Sequence, residues 1–149
     1  MDIAALIAWL ITALGGFYLL GTWIQRGGIQ QQQTGTSRIP APVIFGHFAL
    51  ATIGLIAWII YLVTDKSALA WTAFALLLPV ALLGFAMLAR WIPVYRTRTT
   101  AASTTTAQQT QQPTPAERHF PLPVVLAHGL FATTTLILVL LSALQAGSS

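Results

Sequence analysis

Four long apolar runs constrain what this chain can fold into more than any other feature. They cover about residues 3–24, 43–63, 69–92 and 122–144, and Arg90, near the end of the third run, is the only arginine or lysine within them. Each run is as long as the roughly 20 residues that an α-helix needs to cross a bilayer. Because lipid offers the backbone no hydrogen-bond partners, such segments must be helical. The sequence therefore predicts an all-α bundle of four transmembrane helices.

The composition supports a membrane location. Of the 149 residues, 56% are hydrophobic and only 7% are charged, whereas a soluble domain carries roughly 25% charged residues. We therefore predict one integral membrane domain. The absence of cysteine excludes disulfides, thiolate metal sites, iron–sulfur clusters and haem attached through cysteine. The basic residues flank the apolar runs and form no patch with interleaved aromatic residues, so a nucleic-acid partner is not expected.

The arginines predict the orientation. The first loop carries Arg26 and Arg38, and the end of the third run and the third loop carry Arg90, Arg96, Arg98 and Arg118. The opposite side has only Lys66, which follows Asp65. The positive-inside rule places the arginine-rich loops in the cytoplasm and both termini on the extracytoplasmic side of a multi-pass plasma-membrane protein. No basic region precedes the first run, so we expect it to be retained rather than cleaved as a signal peptide.

The loops differ in length and composition. Residues 25–41 and 96–118 are polar, and the second of these stretches is low-complexity and rich in Thr and Gln. Such segments bury little apolar surface, so we predict flexible cytoplasmic loops. The short loop "TDKSA" predicts an antiparallel hairpin of the second and third helices. Pro79 lies in the middle of the third run and predicts a kink there.

The strongest functional signal is a pair of histidines in similar surroundings. The stretch "PAPVIFGH" ends at His47, and "PLPVVLAH" ends at His128. Proline suits the first turn of a helix, so both histidines fall about two turns into their helices. The second and fourth helices run in the same direction, which puts both imidazoles roughly 6–10 Å below the cytoplasmic interface. Ionisable residues at such depth are candidates for a functional site.

Two imidazoles that face each other across a four-helix bundle can supply both axial ligands of one b-type haem. The haem propionates also need cationic partners, and Arg38, Arg90, Arg118 and His119 lie at the same membrane face. Another ligand, such as a quinone, is an alternative occupant. In a purely structural alternative, the histidines bond to a threonine hydroxyl or backbone carbonyl of a neighbouring helix and hold helices together.

Other functional classes find less support. A metal site without haem would have only two histidine nitrogens and no membrane carboxylate or thiolate. A proton or cation transporter normally buries Asp or Glu along its path, and the four runs contain neither. No set of nucleophile, base and acid is present, so an enzyme is not favoured. The expected partners are the lipid bilayer, a redox partner or quinone, and a larger membrane complex or homo-oligomer. The alternative function is a non-catalytic membrane subunit or scaffold.

The landmarks "GHFALATIGLIAWIIYLVTD", "LLPVALLGFAMLARWIP" and "ERHFPLPVVLAHGLFATTTLILVLL" resemble a family of small four-helix membrane proteins of actinobacteria. That resemblance implies the four-helix fold and no particular activity. The paired histidines are also similar in arrangement to those of bacterial b-type cytochromes built on four-helix bundles. Those cytochromes commonly carry more histidines and often two haems, whereas His47 and His128 imply at most one haem here.

Overall fold

The chain folds into long helices. A computed structural model describes residues 1–101 and 114–147, and this part of the chain contains helices and turns but no strands. The helices are α1 (Asp2–Gln25), α2 (Gly28–Gln33), α3 (Ala41–Thr64), α4 (Ser67–Ala101) and α5 (Leu122–Ala146), with a short 3₁₀ helix at Ala116–His119. Within the described ranges, α1, α3, α4 and α5 are the four helices long and apolar enough to cross a membrane. The predicted all-α fold with four helices long and apolar enough to span a membrane is therefore confirmed, and the extracytoplasmic location of the termini stays a prediction.

The spanning helices form a bundle with a defined order. Helix α1 packs mainly along α5, and α3 packs mainly along α4, while the remaining neighbours are α4 with α5 and α1 with α3. Helices α3 and α5 therefore stand at diagonally opposite corners. Asp65 adopts a left-handed conformation with φ of 51° and donates its N–H to the Tyr61 carbonyl. This turn ends α3 and reverses the chain into α4, giving the predicted hairpin.

The outer faces of the bundle are apolar. Large side chains on every spanning helix are exposed, among them Leu14 and Leu82, each 70% exposed, and Leu130, 67% exposed. A soluble monomer does not present continuous apolar surface of this extent, whereas lipid solvates it well. The exposed side chains therefore mark the lipid-facing surface of the bundle.

The buried apolar side chains of the described residues form a cluster at each end of the bundle. At the end that carries the arginine-rich loops, here called the arginine side, the buried members are Trp23, Ile39, Trp91, Ala116 and Phe120. Toward the opposite end, the larger buried members are Trp9, Trp58, Tyr61, Leu77, Val80 and Val139. The arginine-side cluster joins the linkers between helices to the helix ends, so the linkers are part of the packed structure.

The linker before α3 is more structured than its polar composition indicates. It contains α2, and its Ser37 hydroxyl accepts a hydrogen bond of 3.4 Å from the Trp23 indole N–H. Its predicted flexibility stays a prediction. Of the second predicted flexible loop, residues 102–113 lie outside the described residues. Helix α4 continues through Pro79 and Pro93 as a single helix.

Candidate functional site

His47 and His128 meet inside the bundle. The centroids of their rings are 6.3 Å apart, and the ring planes are inclined by 55°. His47 projects from α3 and His128 from α5, which are the diagonally opposed helices. The equal depth predicted from the two proline-led stretches thus brings both side chains into one place near the centre of the bundle.

Each imidazole is held by a backbone carbonyl of a neighbouring helix. The Nδ1–H of His47 donates to the carbonyl oxygen of Val80 in α4 at 2.9 Å. The Nδ1–H of His128 donates to the carbonyl oxygen of Thr12 in α1, also at 2.9 Å. Both histidines thus use the same ring nitrogen and the same type of acceptor.

These hydrogen bonds fix which ring nitrogen carries the proton. A carbonyl oxygen only accepts, so Nδ1 must be the donor in both rings. In the neutral imidazole Nε2 then keeps its lone pair and is the nitrogen available to a ligand. A histidine that binds a metal commonly makes this same type of second hydrogen bond, which orients the ring. Both histidines therefore have the form that ligation through Nε2 requires.

Glycine lets the His128 ring lie against α1. A Cβ atom at Gly16 would come within 3.2 Å of His128 Cε1, and one at Gly15 within 3.4 Å of His128 Nδ1. Across the site, a Cβ at Gly84 would stand 3.5 Å from His47 Cε1, which is ordinary contact. The α1 side is therefore the tighter wall of the site and the α4 side is the looser one.

The histidines occupy a layer between the apolar clusters. On α3, Ile44 packs against the arginine-side cluster and Leu50 against the other cluster, and His47 lies between them. On α5, Val125 and Leu136 bracket His128 in the same way. Both histidines are half-buried residues. The apolar packing is thus interrupted at the depth where the histidines meet.

The other predicted site residues lie on the arginine side and divide between clefts. Arg38, Arg90 and Arg118 line a cleft of about 380 Å³, where Arg90 Nη1 donates to the Arg38 carbonyl at 3.2 Å. His119 lines a different cleft, of about 700 Å³, together with Arg26 and Arg118. The structure therefore brings the three predicted arginines together and places His119 elsewhere.

Residues 1–101 and 114–147 contain no group of three or more His, Cys, Asp or Glu side chains that could hold a metal ion by themselves. The chemistry available to the histidine pair is thus that of two imidazole nitrogens. A ligand at this place would have to bring its own remaining coordination.

Residue patterns around the histidines did not predict the carbonyls that anchor them, but an internal repeat contains that information. Residues 13–24, "ALGGFYLLGTWI", match residues 81–92, "ALLGFAMLARWI", at seven of twelve positions: A, L, G, F, L, W and I. In this alignment Thr12 corresponds to Val80 and Gly16 to Gly84. The histidine stretches match as well, since "PAPVIFGH" and "PLPVVLAH" share P, P, V and H. The anchors are therefore equivalent positions of two related halves.

Glu117 also escaped prediction. Its side chain is fully buried, and one carboxylate oxygen accepts the backbone N–H groups of Arg38 and Ile39, the latter at 3.0 Å. Its backbone carbonyl accepts the Trp91 indole N–H at 3.0 Å. A lone glutamate in a polar loop gives no sequence signal for burial.

Comparison of the chain with protein-family models, with curated proteins and with solved structures found no match. The resemblance to the actinobacterial family stays a prediction.

Proposed function

We propose that the protein binds one b-type haem between α3 and α5, with His47 and His128 as axial ligands. The observation that supports this most directly is the pair of anchored imidazoles. Each ring has its Nδ1–H committed to a carbonyl of a neighbouring helix, so each presents Nε2 as a ligand. Bound haem would supply a one-electron carrier within the membrane, and its exchange partner would be a redox protein or a quinone.

The separation of the rings supports the same proposal. A metal–imidazole bond is about 2 Å long, and the ring centre lies roughly 1 Å beyond the nitrogen. Two rings that hold one metal ion from opposite sides therefore have centres about 6 Å apart. The rings of His47 and His128 are 6.3 Å apart. The glycines on both walls leave room for the two rings at this level.

Cationic side chains suit the propionates of such a haem. Arg90 lies six residues beyond Gly84 on α4, which corresponds to about 9 Å along a helix toward the arginine side. Arg38 and Arg118 line the same cleft as Arg90. Guanidinium groups pair well with carboxylates, so these arginines are the proposed partners of the propionates, with His119 as an outlying candidate.

The absorbance spectrum of the purified protein tests the proposal. Expression with ample haem should give a Soret band and, after reduction, sharp α and β bands. His47→Ala and His128→Ala should each abolish the reduced α and β bands of a low-spin, bis-histidine haem. His119→Ala is the matched control, since it removes an imidazole that supplies no iron ligand and should therefore keep the α and β bands of a bis-histidine haem.

A colourless, folded protein would overturn the haem proposal and favour the second candidate, a non-catalytic membrane subunit or scaffold. The observation that favours this alternative is that each histidine already links its helix to a neighbour by a backbone hydrogen bond. In that case His47→Ala and His128→Ala should lower the free energy of unfolding by about 1 kcal/mol for each lost hydrogen bond, without any spectral change.

A further inference from the structure

Helix α1 and the segment that precedes α5 enclose the larger cleft on the arginine side. Phe17, Tyr18, Gly21, Thr22 and Gln25 line it from one face of α1. Thr114, Arg118 and His119 line it from the other side, and Arg26 closes its upper end. The volume of this cleft is about 700 Å³. It lies on the outside of the bundle and does not include His47 or His128.

The charged residues that line the cleft are basic. Arg26 and Arg118 contribute guanidinium groups, and no lining residue is Asp or Glu. Glu117 adjoins Arg118 in the chain, but its carboxylate is buried and accepts hydrogen bonds from the linker before α3. The Tyr18 hydroxyl and the Gln25 amide add neutral hydrogen-bond donors to the lining, while the Thr22 hydroxyl already donates to the Tyr18 carbonyl at 2.9 Å. This chemistry selects an anion.

The end of α1 does not oppose an anion as strongly as a bare helix C-terminus would. The last carbonyls of a helix carry partial negative charge. Here the Thr22 carbonyl accepts the Arg26 N–H at 3.0 Å, and the Ile24 carbonyl accepts the Gly27 N–H at 3.0 Å. These bonds satisfy carbonyls next to the cleft, while the Arg26 side chain brings a full positive charge to the same turn.

The lower part of the cleft is apolar and faces lipid. Phe17, more than two turns below Arg26 on α1, is 55% exposed, and a Cβ at Gly21 would meet no atom within 4 Å. The cleft thus combines a cationic upper end at the membrane surface with an open apolar floor that continues into the hydrocarbon region. A free inorganic anion would use only the upper end, whereas a lipid would use both.

We propose that this cleft binds the headgroup phosphate of an anionic glycerophospholipid from the leaflet on the arginine side. Arg26 and Arg118 pair with the phosphate, and the acyl chains run down past Gly21 and Phe17. An arginine near the membrane surface strengthens binding of an anionic lipid by about fivefold. Arg118 and His119 are also proposed partners of the haem propionates, whereas Arg26 lines only this cleft and separates the two proposals.

Lipid-dependent unfolding of the full-length protein in neutral detergent tests this site. A ligand that binds only the folded protein stabilises it by RT ln(1 + L/Kd), where L is the free ligand concentration, so the unfolding temperature rises once that concentration exceeds Kd. The probes are short-chain phosphatidylglycerol, phosphatidylcholine with the same chains, and sodium phosphate, all at one ionic strength. With two arginines at about fivefold each, phosphatidylglycerol should act at a concentration about 25-fold lower than phosphatidylcholine. Intrinsic tryptophan fluorescence reports unfolding whether or not haem is bound.

Arg26→Gln is the diagnostic variant, because Arg26 lines this cleft and not the cleft with Arg38 and Arg90. It should raise the concentration of phosphatidylglycerol needed for a given shift of the unfolding temperature about fivefold. Arg96→Gln removes an exposed arginine that lies on the same membrane face but outside the cleft lining. It should change that concentration less than twofold.

Equal effects of phosphatidylglycerol and phosphatidylcholine would overturn the proposal. So would equal losses in Arg26→Gln and Arg96→Gln, which would indicate a diffuse surface field rather than a built site. If sodium phosphate raised the unfolding temperature as much as phosphatidylglycerol at the same concentration, the cleft would instead bind a soluble anion.

Discussion

In each histidine of the pair, a hydrogen bond fixes one ring nitrogen and leaves the other available to a ligand. Hydrogen bonds to the carbonyls of Thr12 and Val80 hold Nδ1 of each ring and set its orientation. A side chain that must bind a ligand in one geometry gains from such support, because less rotational freedom is lost on binding. The proposed function therefore rests as much on these backbone carbonyls as on the imidazoles themselves.

Glycine at position 16 should matter more than its small size indicates. In Gly16→Ala the new Cβ would crowd His128 Cε1, so we expect a loss of about 1–3 kcal/mol in the free energy of unfolding. Gly129→Ala, next to His128 on α5, is the control because its Cβ meets no atom within 4 Å. It should be neutral or stabilising by up to about 1 kcal/mol, the helix preference of Ala over Gly.

Unfolding in mixed detergent micelles measures both variants. Equal stability changes in Gly16→Ala and Gly129→Ala would contradict the close approach of His128 to α1. If haem is bound, the ratio of low-spin to high-spin absorbance should fall in Gly16→Ala only.

At the level of the elements, the linker before α3 and the segment before α5 are joined by hydrogen bonds. Glu117, before α5, accepts N–H groups of the linker that leads into α3. Gln31 of α2 donates to the Thr114 carbonyl at 3.1 Å and accepts the Ala116 N–H at 2.8 Å. The linkers thus close the arginine side of the bundle above the histidines.

Glu117→Ala should destabilise the protein by about 1–3 kcal/mol for each buried N–H left without its acceptor. Arg38 and Ile39 supply those N–H groups. Glu117→Gln keeps one side-chain oxygen that can still accept, so it should lose clearly less stability than the alanine variant. The midpoint of denaturant unfolding measures the stability of both variants, and a glutamine variant as unstable as the alanine variant would contradict the role of the Glu117 side chain as acceptor of these N–H groups.

The elements also show what sequence patterns could predict. Apolar length determined the spanning helices, because backbone hydrogen bonding in lipid leaves no other solution. The equal spacing of His47 and His128 from their prolines predicted their shared depth, because a helix rises by a constant distance per residue. The linker contacts could not be predicted, since Glu117 and Gln31 act through backbone groups that no residue pattern reveals. The anchoring carbonyls of Thr12 and Val80 are backbone groups too, and only the internal repeat marks their positions.

At the level of the whole molecule, the two related halves interlock. The first half comprises α1 and α3, and the second comprises α4 and α5. His47 of the first half is anchored on α4, and His128 of the second half is anchored on α1. Each half packs mainly against the other, since the main pairs are α1 with α5 and α3 with α4. Parallel repeats in membrane proteins place their shared site at the interface of the repeats, and the histidine pair lies there.

This arrangement predicts that the order of the halves can be exchanged. Gln145 Nε2 lies 3.9 Å from Met1 Sδ, so the end of α5 is close to the start of α1. A circular permutant that joins these ends by a short Gly–Ser linker and opens between Asp65 and Lys66 should keep the unfolding temperature within a few degrees. The permutant loses the turn between α3 and α4 and gains a connection between α5 and α1. Exposed turns tolerate such cuts.

A permutant opened between Ile39 and Pro40 is the matched control. Ile39 is buried and its N–H is bonded to Glu117, so this cut should lower the unfolding temperature markedly. The opposite ranking of the two permutants would contradict the exchange of halves.

The crossed anchoring also sets an order on biosynthesis. As the chain enters the membrane from its N-terminal end, His47 arrives with α3 before its carbonyl on α4 has been made. His128 arrives later, with α5, and finds the Thr12 carbonyl already in place. A nascent chain therefore lacks one imidazole until α5 has been inserted, and any ligand that needs both rings can be loaded only after that step. Capture of such a ligand would then report that α5 has joined the bundle.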